Sequence, residues 1–185
     1  MAKKSKLSHS NLDVTRVTRT IYFVMAFYIT SIIIFDSGNL ITRESVIRRW
    51  TIATIILILN TLIWYIASTK AKPHKDHISI IALTGTLLAF AGFSTYWDRG
   101  MASTSTILYA LPILTIAVLR QRHALIAVTS MSAITYCFAS VKYFNDFFNE
   151  GYRIQLWGHL ILYSGIMFGL AWLVMIVAGL RRDSR

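Results

Sequence analysis

Hydrophobic residues make up 55% of this chain of 185 residues, and a soluble domain would not be expected to concentrate them in runs as long as those found here. Its formal net charge of +11 at pH 7 would suit a nucleic-acid-binding protein, but the basic residues are spread between hydrophobic stretches rather than gathered on one surface. Composition therefore predicts a membrane protein whose first partner is the lipid bilayer, and it argues against nucleic acid as a partner.

Six apolar stretches follow one another along the chain, and each is long enough or nearly long enough to cross a hydrocarbon core of about 30 Å as a helix. Barrel strands would alternate polar and apolar residues, and the run at 55–59 does not. We therefore predict an all-α, polytopic membrane protein. It forms a six-transmembrane-helix bundle, a single domain over residues 1–185 with a basic N-terminal segment at 1–17. The predicted spans lie near residues 18–35, 50–68, 78–96, 104–119, 124–143 and 156–180.

The basic residues orient the predicted bundle. Thirteen of the 19 lysines and arginines fall at the two ends of the chain and in the second and fourth connections between spans. Since cytoplasmic segments of membrane proteins are enriched in Lys and Arg, we expect both termini in the cytoplasm. The expected location is the cell membrane, which is the inner membrane in a bacterium.

The first outer connection, at residues 37–49, mixes apolar and charged side chains at a spacing typical of a short helix lying in the membrane interface. The other two outer connections are rich in aromatic residues. Such residues form either a belt at headgroup depth or a shallow pocket that admits a flat or lipid-like ligand from the outer leaflet. The candidate ligand-binding residues are Trp97, Asp98, Arg99, Phe148, Tyr152 and Arg153.

Polar and helix-bending residues mark the fourth and fifth spans. Pro112 lies in the first half of span four, where it is expected to kink the helix. Span five carries a stripe of small and polar residues that we expect to face other helices, with a ligand cavity as the alternative. The stripe consists of Thr129, Ser132, Ala133, Tyr136 and Ser140.

Span six contains glycines at positions that share one face of a helix. Gly165 and Gly169 are four residues apart, and Gly158 precedes Gly165 by seven. Glycines at this spacing let two helix backbones approach closely. The contact is either packing inside the bundle or homodimerisation through span six.

The sequence contains no pattern that indicates catalysis. No Asp or Glu lies deep in a predicted span, which argues against a proton pump or a cation-coupled transporter. Because His159 is the one histidine within the spans, a haem held by two histidines is not expected. We find no catalytic motif, and we predict no catalytic residue, no metal site, no cofactor and no enzymatic activity.

The second half of the chain resembles the membrane part of bacterial sensor histidine kinases. Residues 109–136 are similar to spans four and five of six-helix sensors, and Leu156-Trp-Gly-His-Leu160 with the long span that follows is similar to their last span. The RegB/PrrB group has the most similar pattern, followed by PilS-type sensors. The outer loop that the RegB group uses for quinone is replaced here by residues 96–100, so no quinone-binding residue is carried over.

In those families the last helix continues into a kinase core, whereas this sequence ends at Arg185. The resemblance implies a sensor-type membrane domain without its kinase core, or a piece of a longer chain. We therefore expect an integral membrane sensor or interaction protein that acts through self-association or a membrane partner. The alternatives are a substrate-binding subunit like those of energy-coupling-factor vitamin transporters and an accessory subunit of another membrane complex.

Overall fold

The computed structural model describes residues 2–38, 41–69, 73–98, 100, 103–147 and 153–179. These residues form helices, and no strand occurs among them, so the all-α prediction is confirmed. In chain order the helices are α1 (Ala2–Ser37), α2 (Arg43–Thr69), α3 (Pro73–Trp97), a 3-10 helix (Thr104–Tyr109), α4 (Ala110–Ala117), α5 (Arg122–Phe147) and α6 (Arg153–Val177).

Five of the described helices are long and apolar enough to cross a membrane, which is consistent with a multi-pass membrane protein. The segment predicted as the fourth span is shorter and joins the 3-10 helix to α4 over Thr104–Ala117. The five long segments are Val14–Ser37, Arg43–Ser68, His77–Trp97, Arg122–Phe147 and Ile154–Val177.

Large apolar side chains are exposed on each long helix, as expected for surfaces that face lipid tails rather than water. Examples on α1, α2, α3, α5 and α6 are Phe23, Ile58, Ile81, Phe138 and Ile161.

The chain divides into two compact units, Met1–Thr86 and Leu87–Arg185, and the division falls inside α3. The assignment of residues 1–185 to one domain stays a prediction.

In the first unit, α1 and α2 pack against each other as an antiparallel pair. The Asn60 side-chain amide donates to the carbonyl of Thr18 at 3.4 Å, and nearer the connection the Arg49 guanidinium lies 5.8 Å from the centre of the Phe35 ring. Asn60 is buried, and bonding its amide to backbone reduces the cost of placing it there. The buried face of α1 consists of Val14, Thr18, Ile21, Met25 and Ile32.

The prediction of a separate interfacial helix at residues 37–49 is wrong. Residues 43–49 are instead the first two turns of α2, whose hydrogen bonds begin with the Val46 amide donating to the carbonyl of Thr42 at 3.0 Å. Glu44 and Arg48, one turn apart, form an ion pair on the exposed side of these turns. Val46 is buried, so the mixed apolar and charged pattern is that of the end of a long helix that packs on one face.

In the second unit, α5 packs against α6, and α4 packs against both. The stripe predicted to face other helices along span five is buried throughout, so that prediction is confirmed. Its residues are Thr129, Ser132, Ala133, Tyr136 and Ser140.

Pro112 lies next to a change of helix type, and the kink expected there stays a prediction. It is the third residue of α4, in the first turn, where backbone amides have no partner within the α-helix itself. The chain before it is a 3-10 helix, in which the Ala110 amide donates to the carbonyl of Ile107, three residues back. Because proline supplies no donor for the carbonyl four residues earlier, the tighter 3-10 spacing precedes it.

Candidate functional site

An apolar groove runs between α3 and α5 in the second unit. Its volume is about 430 Å³, within the range of small-ligand sites. The exposed rings of Phe93 and Phe138 lie along it, and Lys142 is its one charged residue. The complete lining is Ala89, Gly92, Phe93, Tyr96, Trp97, Thr135, Phe138, Ala139 and Lys142.

Small residues let α3 and α5 come close along this groove. A Cβ added to Gly92 would lie 2.7 Å from Thr135 Cγ2, so a larger residue would fit there only if the Thr135 side chain moved. Ala89 and Ala139 contribute only short side chains to the adjacent lining. The groove therefore results from short side chains near its floor and long aromatic side chains beside it.

One end of the groove is held by polar and aromatic contacts. The Tyr96 hydroxyl donates to Asp146 Oδ2 at 2.7 Å, and the rings of Tyr96 and Tyr143 meet edge to face with centroids 6.3 Å apart. Lys142 Nζ lies 5.9 Å from the centre of the Tyr96 ring and 3.8 Å from Asp146 Oδ2. These contacts place the C-terminal ends of α3 and α5 side by side, so the two helices run in the same direction.

Gly100 lies at the same end of the second unit, shortly after the end of α3. Its φ is +59°, a left-handed conformation that glycine adopts without strain. A Cβ at this position would lie 2.7 Å from Cδ1 of Tyr143. Gly100 therefore lets the chain turn tightly after α3 while it passes against α5.

Asp98 organises the start of the 3-10 helix. Its Oδ2 accepts hydrogen bonds from the hydroxyls of Ser103 at 3.2 Å and Ser105 at 3.0 Å, with Thr104 at the limit of 3.5 Å. Ser103 is the N-cap, because its Oγ accepts from the Ser105 amide at 2.9 Å. This carboxylate thus has a clear local role in ordering the segment that follows α3.

The predicted ligand-binding residues are only partly within the described structure. Trp97 lines the groove, and Asp98 follows it directly in the chain. Arg99, Phe148 and Tyr152 lie outside the described residues, as does the side chain of Arg153, the first residue of α6. Their role in ligand binding stays a prediction.

The sequence reasoning missed most of the groove lining. Phe138 and Lys142 lie on α5, and a groove between two helices depends on which helices pack side by side. The small residues Gly85, Ala89 and Gly92 of α3 were the available signal, since small residues on one face of a helix let a neighbouring helix approach closely.

Buried hydroxyl groups without hydrogen-bond partners lie behind the groove. Tyr109 is 1% exposed and Tyr136 is fully buried, and their rings meet edge to face at 5.9 Å. Thr95 is a polar neighbour of the Tyr109 hydroxyl and Ser140 of the Tyr136 hydroxyl, but neither pair has hydrogen-bonding geometry. Among the described residues of this unit, the unpaired buried oxygens belong to Ser94, Thr95, Tyr109, Ser132, Tyr136 and Ser140.

The three glycines of α6 face away from the rest of the second unit. At about 100° of rotation per residue, they fall within about 20° of one line along the helix. A Cβ built on Gly158, Gly165 or Gly169 would have no neighbour within 4 Å in the part of the chain that the structure describes. The buried residues of α6 cluster about 180° away from that line, and they are Leu156, Leu160, Met167 and Ala171.

No group of three or more His, Cys, Asp or Glu side chains that could hold a metal ion occurs within the part of the chain that the structure describes. Cys137 is a free thiol whose sulfur lies 3.7 Å from the Ser164 hydroxyl.

No protein-family model matches this chain, and no curated protein or solved structure matches it either. The relation to RegB/PrrB- and PilS-type sensors therefore stays a resemblance.

Proposed function

We propose that this chain is an integral membrane sensor or interaction protein that associates through α6, either with a second copy of itself or with another membrane protein. The observation that carries the proposal is the direction of the glycine face, which consists of Gly158, Gly165 and Gly169. Two explanations were open from the sequence, packing within the bundle and association with a partner. Since no described residue of the second unit lies within 4 Å of a Cβ built on these glycines, association is the better-supported explanation.

Exposed apolar side chains lie on both sides of the glycine face, where they could pack against a second helix in the bilayer. Ile161 and Leu162 lie beside it at one level, and Trp172 and Leu173 at another, all of them exposed. A second helix could contact backbone at the glycines and pack against these larger side chains. Association in a bilayer depends on such close van der Waals packing, because lipid tails are as apolar as the helices.

We further propose six spans with both termini in the cytoplasm. The contact between Tyr96 and Asp146 places the ends of α3 and α5 together, so the segment between them must return along the length of α5 before that helix begins at Arg122. Thr104–Ala117 is part of this returning segment. With about 2 Å of rise per residue in its 3-10 part, the segment is about 24 Å long, more than an α-helix of the same number of residues would give.

Association is tested by cysteine crosslinking in liposomes, on a background in which Cys137→Ser removes the native thiol. We expect Leu162→Cys, beside the glycine face, to form crosslinked dimers on mild oxidation, and Met167→Cys, on the buried face, to form none. Replacing Gly165 with Ile should reduce the dimer fraction at least fivefold. The matched control is Ala127→Ile, which introduces the same side chain at an exposed position on α5.

The partner is identified by comparing the crosslinked products formed by purified protein in liposomes with those formed in native membranes. Dimers in both preparations support self-association, and crosslinked adducts of another mass in membranes alone support a different membrane partner. If Leu162→Cys gives neither product in either preparation, association through α6 is refuted. For the topology, a single cysteine placed at Gln121 should be labelled by membrane-impermeant maleimide only in inside-out vesicles.

A further inference from the structure

The groove between α3 and α5 has the features of a site for one lipid chain. Its side walls carry Phe93 and Phe138, which are 57% and 70% exposed, so the groove is open at the surface that faces the bilayer. Between Ala89 and Trp97 it follows α3 for about 12 Å, given the helical rise of about 1.5 Å per residue. That length accommodates a substantial part of an acyl chain.

The polar end of the groove carries residue types that are expected at headgroup depth. Trp97 is the last residue of α3, and Lys142 is close to the end of α5 at Phe147. Tryptophan is enriched at the membrane interface, and a lysine near the end of a span extends its ammonium toward the headgroups. An acyl chain in the groove would thus bring its own headgroup to Lys142.

The charge on Lys142 is only weakly compensated by the neighbouring carboxylate. Its Nζ lies 3.8 Å from Asp146 Oδ2, beyond the usual hydrogen-bond distance of about 2.7–3.2 Å. That same oxygen already accepts the Tyr96 hydroxyl at 2.7 Å. The lysine side chain is 53% exposed, which leaves ammonium protons available for a phosphate oxygen.

From this combination we infer that the groove binds an anionic phospholipid of the surrounding leaflet. One acyl chain lies along Gly92, Phe93 and Phe138, and the phosphodiester lies at the Lys142 ammonium. The anionic charge is what distinguishes this occupant from the bulk zwitterionic lipid that would cover any apolar surface. The site needs a membrane-embedded second unit but not association through α6.

The test is native mass spectrometry of the full chain, released from nanodiscs that contain equal amounts of phosphatidylglycerol and phosphatidylcholine with identical acyl chains. We expect one phosphatidylglycerol to be retained at least fivefold more often than phosphatidylcholine. Lys142→Gln should abolish this preference, whereas Lys142→Arg, which keeps the charge, should preserve it. Arg122→Gln, at the opposite end of the same helix, removes an equal charge and should leave the preference unchanged.

A second pair of variants tests the groove itself. Ala89→Trp fills the groove from an exposed position and should reduce retention of both lipids about fivefold or more. Ile134→Trp adds a ring to an exposed part of α5 outside the lining and should not change retention. Each protein is first shown to elute as a single species, so that loss of lipid is not confused with misfolding.

Three results would overturn the inference. The first is equal retention of the two phospholipids by the unmodified protein. The second is a loss of the preference for phosphatidylglycerol that is no greater with Lys142→Gln than with Arg122→Gln. The third is retention of added oleate in place of phosphatidylglycerol. The same spectra report monomer and dimer masses, so failure of the lipid site is distinguishable from failure of association through α6.

Discussion

The hydroxyl of Tyr96 donates a hydrogen bond to the carboxylate of Asp146 at 2.7 Å, and this bond joins the C-terminal ends of α3 and α5. The two residues are 50 positions apart in the chain. Their contact fixes the end of the groove where Lys142 lies, and it sets the common direction of the two helices. Both the proposed lipid site and the proposed return of the chain through Thr104–Ala117 depend on it.

We expect Tyr96→Phe to lower the free energy of unfolding by about 1 kcal/mol, because a hydrogen bond to a charged acceptor is lost at a partly exposed site. The measurement is a double-mutant cycle with Asp146→Ala, read by thermal unfolding in a mild detergent. The coupling energy between the two changes should be about 0.5–1.5 kcal/mol. Additive effects of the two substitutions would show that this bond does not hold the helices together.

We expect Gly92→Ala to destabilise the second unit by about 1–3 kcal/mol, since its new methyl group would overlap Thr135 Cγ2 at 2.7 Å. Thr135→Ser removes that methyl group, and the double variant should recover most of the lost stability. Gly85→Ala is the control on the same helix, because a Cβ there meets nothing within 4 Å. Equal effects at the two glycines would contradict the close approach of α3 to α5.

The helical, membrane-like character of the chain could be predicted from the sequence because it depends on local properties. Runs of apolar residues set the helices, and the polar stripe that includes Ser132 and Tyr136 indicated the buried side of α5. The change from 3-10 helix to α-helix before Pro112 could not be predicted, because proline can bend a helix or lie in its first turn, and the conformation of the preceding residues distinguishes the two.

The groove and the glycine face were harder to predict, because both depend on how helices are arranged in space. Gly92 gives a close contact only where Thr135 lies opposite, and the sequence does not state which helices are neighbours. The glycines of α6 share a face by spacing alone, but whether that face is covered depends on the position of Met167 and the other buried residues. The sequence pattern shows which residues share one face of a helix, but the packing of the helices determines what that face contacts.

We expect Tyr136→Phe to leave the free energy of unfolding unchanged or to raise it by about 1 kcal/mol. The Tyr136 hydroxyl is fully buried and has no hydrogen-bond partner among the described residues, so removing it relieves a desolvation cost while keeping the ring contacts. The comparison is Tyr96→Phe, which removes a hydroxyl that is bonded. A loss above about 1 kcal/mol for Tyr136→Phe would show that its hydroxyl is bonded, for example by an internal water.

Arg120 lies in the turn between α4 and α5. Its φ is +54°, and its amide donates to the carbonyl of Ala117 at 2.9 Å, so it ends α4 in the left-handed conformation that glycine adopts more readily. We expect Arg120→Gly to raise the free energy of unfolding by about 0.5–1 kcal/mol, because relief of backbone strain exceeds the added entropy of the unfolded chain. Arg122→Gly removes the same charge from the first turn of α5, where φ is helical, and should bring no gain. Thermal unfolding of both variants in the same detergent compares them directly, and a gain from Arg122→Gly as large as that from Arg120→Gly would assign the effect to charge instead of backbone conformation.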